Sequence, residues 1–360
     1  MAEQEQRYKS IFGPYAENIE VIAKALEARE QRPLFREFMT YGDPSIGLTY
    51  STILGSEAVA PAASIVEIEA LHPLRGRIAP ARADGDIPAI KVKRSLGQKQ
   101  YREYLALRNM PGIDKAKNNQ ILNFITKDMK YVVDAVDNRI DYMFQQGLSN
   151  GWLVTDTNNN PDGVTHETVS IGTPEENITQ AAKSLSDATA TPVTYINKVV
   201  EDSGKTFGNI LLTPSLWNKL KVNKEFLDEM KAFYNPGSNA RAVFGFQQFN
   251  DYMTANRLPN FRIIDKTIPI ETDGNKRVFH RPFNENNMVF VPSGNLGIIH
   301  NAYHIEELEP ADNVDYASVN RTMVSKWQTR FPWGEYTAGD SIAIPGFEAA
   351  EDIYILKANF

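Results

Sequence analysis

Residues 114–147 read DKAKNNQILNFITKDMKYVVDAVDNRIDYMFQQG and carry the strongest periodic signal of the chain. Their apolar side chains recur at spacings of three and four residues, which is the spacing of one face of an α-helix. Asp114 is expected to cap the start of this helix, and Gly147 is expected to end it. Such a helix would be about 50 Å long, roughly three times the average. The sequence therefore predicts a long helix that lies across a flat body. The apolar stripe comprises Ile121, Ile125, Met129, Val132, Val136, Ile140 and Met143.

Three aspartates, Asp134, Asp137 and Asp141, recur along the predicted helix at spacings of three and four. Paired carboxylates can perform acid–base chemistry. A solvated face, or a face that contacts another subunit, is a far more common use of this pattern. We therefore interpret these aspartates as non-catalytic.

The alternation of apolar and charged residues within 64–95 predicts a long two-stranded ribbon. The expected strands are 64–71 and 87–95, and the polar stretch at 84–86 (DGD) is expected to contribute to the turn between them. Antiparallel pairing of Glu69 with Lys91 would also place Glu67 opposite Lys93. Because an isolated ribbon is marginally stable in water, it should lie on another surface. The alternative is a hairpin inside an ordinary sheet.

Residues 1–55 resemble an arm more than a domain. A short amphipathic helix is expected at about 15–30, and Pro33 should break it. No long apolar stripe follows, so the arm should pack on its own body or on a neighbour.

The remaining pattern is mixed α and β. Two short strands are expected at 151–154 and 164–170, and the last fifty residues predict strands at 319–331 and 352–358. Between them, helices are expected at 174–187, 192–203, 215–221, 224–233 and 243–257, and strands at 208–213, 261–267, 277–281, 287–292 and 296–301.

Several functional classes find no support in the composition. The chain has no cysteine, which excludes thiol nucleophiles and zinc–thiolate sites. Its formal net charge is −7, so a dedicated nucleic-acid-binding role is not expected. Neither a signal peptide nor a membrane-spanning helix is expected.

No residue pattern points to a catalytic, metal or cofactor site. His300 and His304 are four residues apart but lack the intervening glutamate of a zinc helix motif. The tripeptide Gly204-Lys205-Thr206 follows a predicted helix rather than a strand, so it should be a helix C-terminal turn and not a phosphate loop.

Aromatic and basic residues alternate near residue 330. Trp327, Arg330 and Trp333 lie within the run KWQTRFPWG at 326–334. This composition could stack on single-stranded nucleic acid, but it is equally that of a protein–protein hot spot. We favour packing or an interface.

The order of these segments resembles the Hong Kong 97-type fold of tailed-phage major capsid proteins, in particular the lambda-like branch. The resemblance extends to the runs YASVNRT at 316–322 and RFP at 330–332, to the closing segments 342–347 and 352–356, and to the helix end at 144–147. It implies an α+β fold with an N-terminal arm at 1–55 and an extended hairpin loop at 56–100. It further implies a peripheral domain at 101–170 with the spine helix 114–147, an axial domain at 171–310, and closing strands of the peripheral domain at 311–360.

The resemblance implies a structural subunit that assembles as hexamers and pentamers into an icosahedral head around double-stranded DNA. Separate scaffolding, portal and decoration proteins are then expected, as are assembly in the host cytoplasm and residence in the virion. DNA contact should be non-specific, with no enzyme activity, cofactor, metal or membrane involved. The candidate inter-subunit contacts are Glu67, Glu69, Arg75, Arg77, Lys91, Lys93, Trp327 and Arg330.

Two other interpretations stay open on the sequence. An encapsulin-like shell compartment would share the fold. A cytoplasmic α/β enzyme acting on a phosphorylated small molecule would need a glycine-rich turn between strand and helix, and we find none.

Overall fold

The computed structural model describes residues 33–53, 82–109, 114–163, 165–184, 187, 189–234, 243–272, 276–331 and 333–358 of the chain. The predicted helix at 15–30 and the predicted strand at 64–71 lie outside these ranges. The described residues divide between two compact units. Unit 1 contains Asp86–Tyr142 and Ile299–Pro345 together with the chain up to Tyr50, and unit 2 contains Ser51–Gly85, Met143–Ile298 and Gly346–Phe360.

The elements follow the chain in this order. The helices are α1 (Phe35–Phe38), α2 (Gln98–Asn109), α3 (Asp114–Asn150), α4 (Pro192–Ser203), α5 (Pro214–Leu220), α6 (Lys224–Tyr234), α7 (Phe246–Ala255) and α8 (Ile305–Leu308). The strands are β1 (Met39–Tyr41), β2 (Thr49–Ile53), β3 (Arg82–Asp86), β4 (Ala89–Gly97), β5 (Trp152–Thr155), β6 (His166–Ser170), β7 (Ile178–Gln180), β8 (Phe207–Leu212), β9 (Asn260–Ile263), β10 (Ile268–Thr272), β11 (Lys276–His280), β12 (Asn287–Pro292), β13 (Gly297–Asn301), β14 (Asp315–Val319), β15 (Thr322–Arg330), β16 (Trp333–Gly346) and β17 (Tyr354–Lys357).

The long helix α3 is present as predicted, but it continues three residues past Gly147. Gly147 is therefore not a cap. A Cβ there would lie 3.0 Å from the side chains of Leu153 and Phe347, so the glycine permits close packing inside the helix. The chain turns instead at Gly151, whose φ of +86° favours a residue without a Cβ.

Unit 1 is built on a six-stranded sheet. Its strand order is β1-β13-β16-β15-β14, and β4 also pairs with β16. Strand β16 pairs antiparallel with β15 and with β4, so Lys91 lies opposite Asp340 and Lys93 opposite Ala338. One side of the sheet packs on α3 through a cluster of Leu96, Met129, Val132, Val133, Val319 and Val324.

The single strand predicted at 319–331 is in fact the second half of a hairpin. Val319 of β14 pairs with Thr322 of β15 across a two-residue turn. Both turn residues, Asn320 and Arg321, have positive φ, which matches the twist that a tight hairpin requires.

The second half of the predicted arm is part of unit 1. Leu34, Phe35, Phe38 and Met39 are buried, and β1 joins the six-stranded sheet. Residues 33–41 therefore pack on the body of the same chain, which is one of the two expected alternatives: Phe35 and Arg36 contact α3, and β1 is the neighbour of β13 in the sheet.

The predicted turn at 84–86 is also wrong. Residues Arg82–Asp86 form β3 and pair with Thr49–Ile53. Asp84 and Asp86 are exposed, so the strand forms without burying their carboxylates. Pairing with β2 thus overrides the low strand propensity of aspartate and glycine.

Unit 2 contains a five-stranded sheet with the order β7-β17-β12-β8-β9. Its core is aromatic: Trp217 packs within 6 Å of Phe246, Phe249 and Phe261, measured between ring centroids. The predicted helices at 192–203, 215–221, 224–233 and 243–257 are confirmed within a few residues. The predicted helix at 174–187 is wrong, because Ile178–Gln180 instead pairs in parallel with the C-terminal strand.

The closing strand β17 lies in the sheet of unit 2. The sequence-based organisation places it in one segment, 311–360, together with β14, β15 and β16, which lie in unit 1 up to Pro345. The difference arises because β17 pairs with β12 and β7, which are distant in sequence.

Candidate assembly interface

The two sides of the six-stranded sheet differ in chemistry. Side chains alternate between the sides along each strand, and the register fixes which residues share a side. The side that faces away from α3 carries Lys91, Lys93, Ser95, Trp327 and Tyr336. We call this group of residues the open face. It brings together three of the eight candidate contacts, namely Lys91, Lys93 and Trp327.

Aromatic and basic groups stack along the open face. The rings of Trp327 and Tyr336 are stacked with centroids 5.7 Å apart, and Lys93 Nζ lies 5.1 Å from the Tyr336 ring centroid. Lys91 and Lys93 are exposed, whereas Trp327 and Tyr336 are half-buried. Such rigid aromatic groups with adjacent cations are typical of protein-binding surfaces.

Arg330 lies at the end of the β15–β16 hairpin, three residues beyond Trp327 on β15. It is opposite Trp333, and its guanidinium lies 5.3 Å from the Phe331 ring centroid. Phe331 is 85% exposed, which is unusual for so large an apolar side chain. Sequence reasoning named Arg330 but not Phe331, although the run RFPW carries the signal.

The remaining four candidates, Glu67, Glu69, Arg75 and Arg77, lie outside the described residues, so the predicted pairing of Glu69 with Lys91 stays a prediction. On the edge of β4 that pairs with β16, Lys91 lies opposite Asp340. Burial raises the pKa of the Asp340 carboxyl, an effect partly opposed by the positive charges of His304 and Lys91.

Lys326 belongs to the opposite side of the sheet. Its Nζ lies 2.7 Å from Glu335 Oε1, and the two side chains are 5% and 3% exposed. The possibility that Lys326 contacts a nucleic acid is therefore wrong, because its charge is buried and paired.

Two of the three predicted aspartates of α3, Asp137 and Asp141, bind the arm. Asp141 Oδ1 accepts the Phe35 backbone N–H at 2.9 Å, and Asp137 accepts two hydrogen bonds from Arg36 at 3.0 Å. Asp137 and Asp141 are buried, so the expectation of a solvated or inter-subunit face is wrong for both.

The other sequence candidates also have structural surroundings. His300 stacks on Tyr50, and His304 accepts the Glu306 backbone N–H at the start of α8. Gly204 has a φ of +61° and ends α4, which confirms the predicted helix C-terminal turn. Among the described side chains, no group of acidic residues and histidines is arranged to hold a metal ion. Within the same ranges, no helix has the length and hydropathy to cross a membrane.

The comparisons with known proteins agree with this architecture. The family model described as phage major capsid protein E matches residues 63–358. The chain belongs to the phage major capsid protein E family. It is thus a shell-forming structural subunit of a phage capsid, as the resemblance implied, and its place is in the virion.

Solved structures show the fold of this capsid subunit. A structure described as a prophage capsid protein from Escherichia coli CFT073 is similar with a TM-score of 0.59 at 13% identity, over 95% of this chain and 98% of that chain. A phage-related protein from Bordetella bronchiseptica RB50 reaches a TM-score of 0.52 at 9% identity, over 94% and 96%. The Hong Kong 97-type fold is therefore confirmed. No curated protein sequence matches the chain significantly.

Proposed function

We propose that copies of this subunit assemble into hexamers and pentamers, which close into the icosahedral head of a tailed bacteriophage around double-stranded DNA. Membership of the capsid family already implies assembly from many copies. The observation that supports a specific contact is the stacked row of Lys93, Tyr336 and Trp327 on the open face. We further propose that Phe331 and Arg330, at the hairpin end, contact a neighbouring subunit.

The domain organisation follows from the same proposal. Unit 1 contains most of α3 and the six-stranded sheet, which suits the peripheral domain. Unit 2 contains the five-stranded sheet and its aromatic core, which suits the axial domain. Residues 1–55 and 56–100 would be the arm and the extended loop, with β1 and β4 anchoring parts of them in the six-stranded sheet.

Other partners are proposed from the fold class and the charge. Separate scaffolding, portal and decoration proteins would take part in assembly in the host cytoplasm. The net charge of −7 favours loose contact with the packaged DNA, because the protein as a whole repels a phosphate backbone.

The test of shell formation is electron microscopy of the purified full chain, alone and with its scaffolding partner. Closed particles with five- and six-fold clusters are expected. A compact monomer that persists at high concentration with the scaffolding protein present would contradict the proposal.

The open face is tested by Lys93→Glu. Lys93 is exposed and lies opposite Ala338, so the change should cost under about 1 kcal/mol of subunit stability while it reduces particle yield about tenfold or more. The matched control is Lys198→Glu, an exposed lysine on α4 of unit 2. Equal particle yields from Lys93→Glu and the control would argue against a contact at the open face. Lys91 is less suitable, because a glutamate there would face Asp340.

A further inference from the structure

Positive charge is concentrated in one stretch of unit 1. Residues 89–130 contain ten lysines and arginines and three acidic residues, whereas the whole chain contains 38 and 45. This stretch includes β4, α2 and the first part of α3. A chain that is negative overall thus carries a local positive charge, which is typical of a surface that binds an anionic partner.

Helix α2 lies beside α3 on the same side of the six-stranded sheet. Tyr101 and Leu105 of α2 pack against the apolar cluster that contains Met129 and Val132 of α3. The opposite surface of α2 is therefore exposed next to α3.

The exposed side chains at this place are mostly cations. Lys99 and Arg102 of α2 and Lys127 and Lys130 of α3 are exposed, and we call these four residues the basic face. Among the side chains of 89–130 that the structure describes, Glu103 is the one exposed acid. The basic face therefore keeps a net positive charge.

The second acidic side chain near the basic face is already paired. Asp128 lies between Lys127 and Lys130 in sequence, and its Oδ1 lies 3.0 Å from Nη1 of Arg94 on β4. The same guanidinium lies 4.3 Å from the Tyr131 ring centroid. Because Arg94 neutralises Asp128, the two lysines stay available for a partner.

The chemistry of the basic face suits a nucleic acid better than a protein. None of the described large apolar side chains within 89–130 is exposed, although apolar and aromatic anchors dominate protein interfaces. The open face, in contrast, combines its lysines with stacked rings. Lysine and arginine side chains without apolar anchors are what a phosphate backbone requires, because such contacts read no base sequence.

We propose that the basic face binds the phosphate backbone of the packaged double-stranded DNA. This inference rests on the proposed function, which places the DNA inside the shell. The open face lies on the other side of the sheet, so DNA binding and subunit contact use separate surfaces. The contact is confined to the basic face because the rest of the chain is acidic overall.

The salt dependence of DNA binding tests the assignment on the unassembled full chain. Fluorescence anisotropy with a short labelled duplex of mixed sequence gives the binding constant at several salt concentrations. Each lysine that contacts a phosphate contributes about 0.9 to the slope of log K against log salt. Lys127→Gln with Lys130→Gln should therefore reduce the magnitude of that slope by about 1.8.

A matched control separates a local contact from a general charge effect. Lys198→Gln with Lys224→Gln removes the same charge from exposed positions of unit 2 and should leave the slope unchanged. Equal reductions in the two double variants would overturn the assignment, as would no reduction in either or no measurable binding by wild type.

A second variant guards against misfolding. Lys99→Gln with Arg102→Gln changes the other half of the basic face and should reduce the slope by a similar amount. Thermal unfolding should match wild type in both variants, because all four side chains are exposed. A variant that keeps the wild-type slope but loses particle yield would show a subunit contact instead and would overturn the assignment.

Electron microscopy of DNA-filled particles tests the contact in the assembled shell. The outermost layer of DNA density should touch α2 and the first part of α3. A basic face that is covered by a neighbouring subunit, or that lies on the outer surface, would overturn the assignment. A wild-type chain that forms no particles with its scaffolding partner would instead overturn the proposed assembly, and the anisotropy measurements would still decide whether the basic face binds DNA.

Discussion

The two sides of the six-stranded sheet share the same strands but differ in chemistry. The side toward α3 carries a buried ion pair and an apolar cluster, whereas the open face carries exposed lysines beside half-buried aromatic rings. A shift of one residue along a strand moves a side chain from one side to the other. With the open face as a subunit contact, as we propose, substitutions at adjacent positions of one strand should affect either folding or assembly but not both.

The largest difference between the two sides should come from the buried ion pair. Glu335→Ala leaves the Lys326 ammonium buried without its carboxylate, which should lower the free energy of unfolding by about 3–5 kcal/mol. Denaturant unfolding of the isolated subunit measures the loss. The double variant Lys326→Met with Glu335→Leu is the control and should be far less destabilised, because no charge stays buried. A similar loss in both variants would show that packing, and not charge, is important at this site.

A smaller difference is expected from the same substitution at two glycines of β16. At Gly339, on the side toward α3, an added Cβ would lie 2.8 Å from Val132 Cβ and 3.1 Å from the Val132 carbonyl oxygen. Gly339→Ala should therefore cost about 1–3 kcal/mol. At Gly334, on the other side, the nearest atom belongs to Tyr336 at 3.5 Å, which is an ordinary contact. Gly334→Ala should change stability by under about 1 kcal/mol, and equal losses would refute the contrast.

The smallest effect concerns the pH dependence of stability through Asp340, which shares the open side with Lys91. Its pKa is raised, chiefly by burial, so the folded state binds the proton more tightly than the unfolded state does. The contribution of this group to the free energy of unfolding is thus highest at low pH. It begins to fall near a pH of about 3.9, the ordinary pKa of an aspartate, and stops falling above the pKa of Asp340 in the folded state. Asp340→Asn should therefore gain stability relative to wild type over that window. Unfolding measured at successive pH values tests this, and a constant difference between the two proteins would contradict it.

Local pattern was enough to predict several elements. The stripe from Met129 to Ile140 repeats on one face of α3, and the solidly apolar runs at β8 and β12 form central strands of the sheet in unit 2. Such signals are visible in sequence because each depends on neighbours within one element. The family resemblance added the fold, which the comparisons confirm.

The candidate contacts were only partly accessible to the same reasoning. The alternation along the predicted strand already places Lys91 and Lys93 on one face, but only the register between β4, β16 and β15 shows that Trp327 shares that face. The contact between Ser45 and Ala302 was not predicted, because the two residues are about 250 positions apart in sequence and meet only through tertiary structure.

The amino-acid sequence by itself determined the long helix, most of the helices and strands of unit 2, and the capsid resemblance, because periodicity and composition are local properties. Tertiary structure alone decided that Asp137 and Asp141 hold the arm, that Lys326 is buried against Glu335, and that β17 closes the sheet of unit 2. Each of these depends on a partner far away in the chain. Which partner a strand edge or a charged group meets is set by the packing of the whole unit.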